Sequence, residues 1–283
     1  MKLVLSKIIT HPGGAHLDDI LSTALVLARY SEIEYIERRD PTEKEINDPL
    51  IWILDIGRVY NPKIRAYDHH QKEWEECTIS LLLKDWNLWE KAKFTYLWLE
   101  FIVIDDAFGP NRISEILGIS MDTYLSLESP IENAIIDIFQ NISIIQKGDP
   151  LFIVLREIGK IILKQIECFE SILKQIEKTA EIMEIKGVPV IFVTDIEPSN
   201  TLKNVIMRYK KQKWKFGGIS VTKGRDKGSI TLRRLDDDYR VDFRRIKAPK
   251  EKVSFIAADG FMVSVLNVER SEIKEFIKQS IKI

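Results

Sequence analysis

The 283-residue chain contains only four histidines, and they form two clusters. His11 and His16 make up the first, and His69 and His70 belong to the second, Asp68-His69-His70-Gln71. Each cluster follows a short apolar run typical of a β-strand, and an open α/β sheet binds its ligands where strands end. Asp-His-His alone is equally compatible with a polar turn. The two clusters together favour a metal site.

The first 78 residues alternate between strand and helix patterns. A helix is expected over 20–30, where apolar residues recur at helical spacing behind the acidic pair Asp18-Asp19. The run at 50–54 is almost continuously apolar, as in a buried parallel strand. With strands also expected at 7–10, at 33–37 and just before Asp68, this alternation predicts a parallel α/β sheet.

Beyond residue 78 the pattern becomes helical, with helices expected over 79–86, 90–107 and 131–145. Apolar residues spaced three and four apart predict one long helix over 151–184. We interpret it as a linker packed against the chain's own domains, with a homodimeric coiled coil as the alternative.

A second unit is expected from Gly187 onward. It should contain strands at 190–194, 218–222, 229–233, 253–256 and 261–265, and helices at 199–209 and 270–281. The predicted organisation is α/β: a parallel-sheet N-terminal domain (1–150), a linker helix (151–186) and a smaller α/β or α+β C-terminal domain (187–283).

Carboxylates accompany the histidines. Asp18, Asp55 and Asp68 lie near expected strand ends, and Asp105-Asp106 follows a further apolar run. Each alone is more often a cap or turn residue, so the prediction depends on the set. Imidazole with carboxylate and no thiolate suits Mn²⁺, Zn²⁺, Fe²⁺ or Co²⁺. Asp55 ends what looks like the central strand and is the natural bridge between two ions about 3.5–4 Å apart.

Several segments resemble the melanocyte-proliferating-gene family of metal-dependent hydrolases, within the DHH phosphoesterase superfamily. They are THPGGAHLDD at 10–19, RRDP at 38–41, ILDIGRVYNPKIRAYDHHQKEW at 53–74 and, more weakly, LEFIVIDDA at 99–107. The superfamily usually has Asp at the position of His16, whereas this family has His. Better-studied members are reported as 3′→5′ RNA exonucleases, so the resemblance implies a DHH-type domain and a metal-dependent phosphodiesterase.

The resemblance also implies roles for individual residues. The metal ligands would be His11, His16, Asp18, Asp55, His69 and Asp106, with Asp105 competing for the last position. His70 would contact the scissile phosphate, and Asp68 would orient a neighbouring imidazole. We expect two Mn²⁺ ions, with Co²⁺, Mg²⁺ or Zn²⁺ as alternatives.

Two departures from the family pattern concern substrate binding. The later DAxDNG pattern is here Asp106-Ala107-Phe108-Gly109, and DGFMVS at 259–264 replaces a glycine-rich motif that contains histidine. We therefore expect an intact metal centre with diverged substrate recognition.

Charge is segregated along the chain. Residues 201–252 contain 17 basic and 6 acidic residues, a net charge of +11, and the remainder has a net charge of −12. At 209–216 the cations are interleaved with aromatic residues. Cations contact phosphates and aromatic rings stack on bases, so the segment predicts binding of single-stranded nucleic acid. The alternative is a solvated lysine-rich face. The predicted substrate-binding residues are Arg39, Lys210, Lys211, Lys213, Trp214, Arg233, Arg234, Arg244 and Arg245.

The leading hypothesis is a two-metal phosphodiesterase acting as a 3′→5′ exonuclease on single-stranded RNA or DNA. A small nucleotide or dinucleotide phosphoesterase is one alternative, and an inactive protein that binds nucleic acid or a replication partner is another. Two isolated cysteines, no signal-peptide pattern and no membrane-length apolar run predict a cytoplasmic protein without a membrane partner.

Overall fold

A computed structural model describes residues 6–71 and 75–282. The chain divides into two compact units, residues 1–166 and 167–283, and the division falls within one 30-residue helix. The last three residues of the motif segment 53–74 lie outside the described residues. The predicted domain boundaries at 150 and 187 bracket this helix and stay a prediction.

The first unit is built on one sheet flanked by helices. Its strands are β1 (Ser6–Thr10), β2 (Ile33–Arg38), β3 (Ile51–Leu54), β4 (Tyr60–Asn61), β5 (Ala66–Tyr67) and β6 (Ile144–Gln146). Its helices are α1 (Leu17–Arg29), α2 (Glu43–Ile46), α3 (Thr78–Asp85), α4 (Trp89–Thr95), α5 (Leu99–Phe108), α6 (Pro110–Leu117), α7 (Met121–Ser126), α8 (Pro130–Gln140) and the first part of α9 (Pro150–Thr179).

The strand order is β4-β5-β3-β1-β2-β6, and the four strands β5, β3, β1 and β2 run parallel. This confirms the predicted α/β class. β1 and β3 are buried along their whole length, as their continuous apolar sequences require. The last residues of β1, β3 and β5 are paired with one another in register. The next residue of each strand, His11, Asp55 or Asp68, therefore leaves the sheet at the same level.

The contact between α1 and α9 depends on a glycine. A Cβ atom at Gly159 would lie 2.0 Å from the carbonyl oxygen of Ala24 and 2.9 Å from Cβ of Ala28. Only a residue without a side chain lets the two helix backbones approach this closely. Because α1 begins beside the metal-ligand candidates, this packing also fixes the position of the site.

Three helix predictions extended too far. The helix expected over 90–107 is interrupted at Tyr96, whose extended backbone ends α4 and whose hydroxyl donates to Gln165. The helix expected over 131–145 ends at Gln140, because 144–146 form β6 and pair with β2. The helix expected over 151–184 ends at Thr179, since the next residues pair as a strand.

The second unit has its own sheet, with strands β7 (Glu181–Ile185), β8 (Val188–Val193), β9 (Ile219–Lys223), β10 (Ser229–Arg234), β11 (Val253–Ile256) and β12 (Met262–Leu266). The end of α9, α10 (Asn200–Lys213) and α11 (Arg270–Ser280) complete it. The order is β11-β12-β10-β9-β8-β7, and the β8–β9 pair is parallel while the other neighbours are antiparallel. This unit is α+β.

The long helix α9 packs within each unit in turn. Phe152 and Leu155 belong to the core of the first sheet, and Phe169 and Ile176 to the core of the second unit. This packing agrees with the linker interpretation, and a homodimer through α9 stays a prediction. None of the helices in the described ranges is long and apolar enough to cross a membrane.

Candidate metal centre

Asp55 lies at the centre of the candidate site. It follows β3, its side chain is 1% exposed, and its φ of +58° is left-handed, which aspartate adopts more readily than most residues. Oδ2 lies 3.4 Å from Nε2 of His11. Oδ1 lies 3.2 Å from Nε2 of His69 and 3.6 Å from Nδ1 of His70. The two oxygens thus face different imidazoles, as a carboxylate shared by two ions must.

Among the described residues, three groups of side chains have potential ligand atoms within 4.8 Å of one another. They are His11 with Asp19 and Asp55, Asp55 with His69 and His70, and Asp18 with Cys77 and Asp106. Sequence reasoning missed Asp19 and Cys77. Asp19 could have been found as the second acid of the HxD segment, but it was interpreted only as a first-turn acid of a helix. Cys77 carries no such signal.

The structure distinguishes between the two adjacent acids on α5. Asp106 lies 2.9 Å from Nε2 of His69 and 3.4 Å from Nδ1 of His16. Both acids line a neighbouring cavity, but of the two only Asp106 lies this close to an imidazole among the described residues. Consecutive helical residues point about 100° apart, so only one of the two can face the imidazoles. Of the two alternatives, the geometry favours Asp106 as the ligand.

Two buried atoms test whether these residues fit a metal ion. Nε2 of His69 and Oδ2 of Asp106 are 2.9 Å apart but have no hydrogen-bond partner. Buried polar groups without partners are rare and costly, so such a pair calls for an explanation. A divalent ion between the two atoms would satisfy both, and imidazole with carboxylate is a donor set that Mn²⁺ accepts. The residues therefore fit a divalent metal ion.

The charges of the site are strongly coupled. A hydrogen bond to Asp19 raises the pKa of His11 to about 9. Burial would lower the pKa of His69, but Asp106 and Asp55 outweigh it and raise the pKa to about 10. Burial would raise the pKa of Asp106, but the neighbouring His16 and His69 imidazoles lower it to about 2. At neutral pH, protons on the imidazoles thus balance the carboxylates, and a bound cation would replace these protons.

Asp18, a predicted ligand, has a second set of contacts. It is fully buried and accepts hydrogen bonds from the backbone N–H groups of Thr78 (2.9 Å) and Ile79 (2.7 Å) at the start of α3. Burial, followed by the charges of Asp106 and Asp55, raises its pKa. Asp18 therefore caps α3 as well as lying within coordination distance of Asp106.

Thr78 is a positioning residue that sequence reasoning missed. Its buried hydroxyl lies 3.3 Å from Oδ1 of Asp55 and 3.3 Å from the carbonyl oxygen of Tyr67. Through its N–H it also holds Asp18. No sequence pattern marks this threonine, because its role depends on α3 beginning beside the ends of β3 and β5.

Asp68 and His70 form a separate pair at the edge of the site. Oδ1 of the buried Asp68 lies 2.8 Å from Nδ1 of His70 and accepts the His70 N–H at 2.8 Å, while Oδ2 accepts from the Arg58 N–H. The His70 imidazole is 55% exposed, and this contact leaves its Nε2 available. His16 is also largely exposed, with Asp106 as its neighbour. The roles assigned to these residues stay predictions.

Several cations predicted to bind substrate are engaged elsewhere. Lys210 is fully buried and paired with Asp236, so it cannot contact a ligand at the surface as predicted. Arg39 pairs with Glu37 and Glu45.

The remaining members of the predicted set fall into two groups. Arg234 pairs with Asp237 and Arg244 with Asp242, Arg233 lies over the Phe261 ring, and Trp214 donates to Gly217. Lys211, Lys213 and Arg245 are exposed.

Comparison with known proteins agrees with the motif resemblance. Residues 7–84 match the family model described as MYG1_exonuc: Uncharacterised protein family (UPF0160). The MYG1 exonuclease of Rattus norvegicus is 32% identical over 117 residues, which are 40% of this chain and 28% of the relative. The match thus spans less than a third of that relative's length.

Two solved structures show weaker likeness. A pGpG-specific phosphodiesterase from Vibrio has 14% identity and a TM-score of 0.30, with 95% of each chain covered. RecJ in complex with Mn²⁺ from Thermus thermophilus has 10% identity and a TM-score of 0.32, over 96% of this chain and 51% of that one. These scores are too low to inform the site. Over residues 7–84, the family match and the motifs agree, and this part of the chain is similar to the MYG1 exonucleases.

Proposed function

We propose that this chain is a metal-dependent phosphodiesterase that removes nucleotides from the 3′ end of single-stranded RNA or DNA. The observation that carries the proposal is the position of Asp55, whose two oxygens face His11 on one side and His69 and His70 on the other. The relatives named as exonucleases support the phosphodiester class, although the match covers only 28% of their length.

Two Mn²⁺ ions are the proposed cofactor. His11, Asp19 and Asp55 would hold one, and Asp55, His69 and Asp106 the other, with His16 and Asp18 beside Asp106. When bound, the ions would supply the positive charge and Lewis acidity that phosphodiester hydrolysis requires. Asp55 keeps the two groups of ligands at a fixed separation because it is buried and anchored at the end of β3.

His70 would bind the scissile phosphate. Because its Nδ1 is held by Asp68, its Nε2 remains for the substrate, and a protonated imidazole donates a hydrogen bond to a phosphate oxygen. Asp68 is buried, so it fixes the orientation of the ring without contacting the substrate.

The direct test is incubation of end-labelled single-stranded RNA and DNA with the purified protein and Mn²⁺. We expect shortening from the 3′ end, and a loss of at least about 100-fold in Asp55→Asn, since the amide cannot supply the charge shared by two ions. Asp195→Asn, an exposed site in the other unit, is the matched control and should retain full activity. Equal activity of the two variants would contradict the proposal.

One observation favours the small-phosphoester alternative. Within 201–252, at least six of the 17 cations are paired with carboxylates, so they are less available to a phosphate backbone. Replacing Lys211, Lys213 and Arg245 by Gln distinguishes the two functions. For a strand-binding enzyme, the slope of log affinity against log salt should flatten by about 0.7 for each phosphate that is no longer neutralised. Parallel slopes would favour a nucleotide-sized substrate, and binding without hydrolysis would favour the inactive protein.

A further inference from the structure

A cavity of about 860 Å³ lies beside the metal centre, entirely within the first unit. Asp18 and Asp106 form part of its wall, and Oδ2 of Asp106 lies 2.9 Å from Nε2 of His69 in the metal centre. Trp98, Phe101 and Tyr124 contribute aromatic surface. The volume falls within the range of about 300–1,000 Å³ that is usual for small-molecule sites. A ligand in this cavity would therefore lie against the candidate ligands of the metal.

Most of the charged groups in the cavity wall are acidic. Asp105, Glu128 and Glu132 line it, and none of the described residues in its wall is lysine or arginine. Burial, then the charges of all three acids, raises the pKa of Tyr124, so the carboxylates are close to this ring. Asn133 donates to Glu128 at 3.2 Å. Apart from His16, which lies beside Asp106, the cavity thus offers aromatic faces and hydrogen-bond acceptors.

We propose that this cavity binds the terminal nucleoside of the substrate strand and that its carboxylates reject a terminal phosphate. The inference rests on the proposed phosphodiesterase function. The aromatic side chains offer stacking surfaces to a base, and the carboxylates can accept hydrogen bonds from exocyclic amino groups. The phosphodiester bond next to this nucleoside would then lie at the metal centre. A terminal phosphate at the far side of the cavity would lie beside Asp105, Glu128 and Glu132, so the site selects strand ends that carry a hydroxyl.

The test compares single strands that end in a hydroxyl or a phosphate, at the end from which degradation starts. We expect kcat/KM to be about tenfold lower with the phosphate, because a dianion is repelled by several carboxylates in a partly hydrated site. The double variant Glu128→Gln, Glu132→Gln should reduce this difference to about threefold or less. Glu115→Gln, an exposed acid outside the cavity wall, should preserve it. Bis(4-nitrophenyl) phosphate, which has no nucleoside, reports the metal centre alone, and Glu115→Gln should hydrolyse it at the wild-type rate.

A binding measurement without turnover completes the test. Metal-free Asp55→Asn protein should bind cytidine more tightly than cytidine 3′-monophosphate in equilibrium dialysis. Adding Trp98→Ala should weaken cytidine binding by at least about fivefold, the lower limit for removing a base stack. Equal rates for the two strand ends, together with cytidine binding unaffected by Trp98→Ala, would overturn the cavity inference while leaving the phosphodiesterase intact. Failure to hydrolyse any substrate would overturn the proposed function, and cytidine binding would still decide on the cavity.

Discussion

Replacing Thr78 by valine isolates one hydroxyl of the candidate site. Oγ1 of Thr78 lies 3.3 Å from Oδ1 of Asp55 and from the carbonyl oxygen of Tyr67, and the residue is fully buried. Valine has nearly the same shape, so the packing around it should persist. The backbone N–H that donates to Asp18 is also unchanged. The substitution therefore removes only the hydroxyl's interactions.

The structure sets the size of the expected effect. A hydrogen bond to a charged group contributes about 1.5–3 kcal/mol, and one to a neutral group about 0.5–1.5 kcal/mol. At 3.3 Å both contacts are long, and one hydroxyl proton serves one acceptor at a time. We therefore expect the free energy of unfolding of the metal-free protein to fall by about 1–1.5 kcal/mol. Loss of a group that orients a ligand costs about 10–100-fold in metal affinity, and we expect the lower limit because Asp55 keeps its other neighbours.

Urea unfolding and calorimetric titration with Mn²⁺ measure the two effects separately. Thr78→Ser is the matched control, since it keeps the hydroxyl and should bind Mn²⁺ within about threefold of the wild type. Wild-type Mn²⁺ affinity in Thr78→Val would refute the reasoning. So would an equal loss in Thr78→Ser, because the effect would then come from packing.

Three other measurements test the same geometry. Gly159→Ala should lower stability by about 1–3 kcal/mol despite alanine's higher helix propensity, because its Cβ would meet Ala24; an unchanged Tm in scanning calorimetry would contradict the close approach of α1 and α9. Asp106→Asn should weaken Mn²⁺ binding by more than about tenfold and Asp105→Asn should not; equal weakening in a titration would show that the helix phase is misassigned. Burial lowers the pKa of His69, but Asp106 and Asp55 outweigh burial and raise this pKa to about 10. A proton must therefore leave His69 as Mn²⁺ binds, and the Mn²⁺ affinity should increase by up to about tenfold per pH unit from about pH 6 to 9. Titrations in buffers of different ionisation enthalpy would count that proton, and an affinity independent of pH would exclude its displacement.

The sequence predicts the strands that precede the site residues, but it does not predict the register in which those strands pair. The apolar runs before His11 and Asp55 could be recognised as buried strands from composition alone. That these two residues and Asp68 leave the sheet at one level depends on the register between strands. Register is set by packing between segments far apart in sequence, and no local pattern reports it.

Residues outside the motifs were predicted less well, for the same physical reason. Asp19 resembles any acid in the first turn of a helix, and only the fold brings His11 to within 2.8 Å of it. Thr78 is noticeable only once α3 is known to start beside Asp55. The strand β6 was missed because a three-residue segment acquires its conformation from its partner, not from its own propensity.

The basic segment shows why charge counted along a chain overstates the charge that a ligand meets. Asp-x-Arg occurs twice, and each arginine binds the aspartate two residues before it through two nitrogens: Arg240 with Asp238 at 2.8 and 2.6 Å, and Arg244 with Asp242 at 2.9 and 2.7 Å. An arginine held in this way uses two of its five N–H donors on the aspartate, and its charge is partly neutralised. These paired arginines therefore contribute less to a nucleic-acid surface than the net charge of 201–252 suggests. If Lys211, Lys213 and Arg245 alone contact phosphates, the slope of log affinity against log salt should be only about −2 for a single strand. A slope steeper than about −5 would mean that further cations of the segment contact the strand.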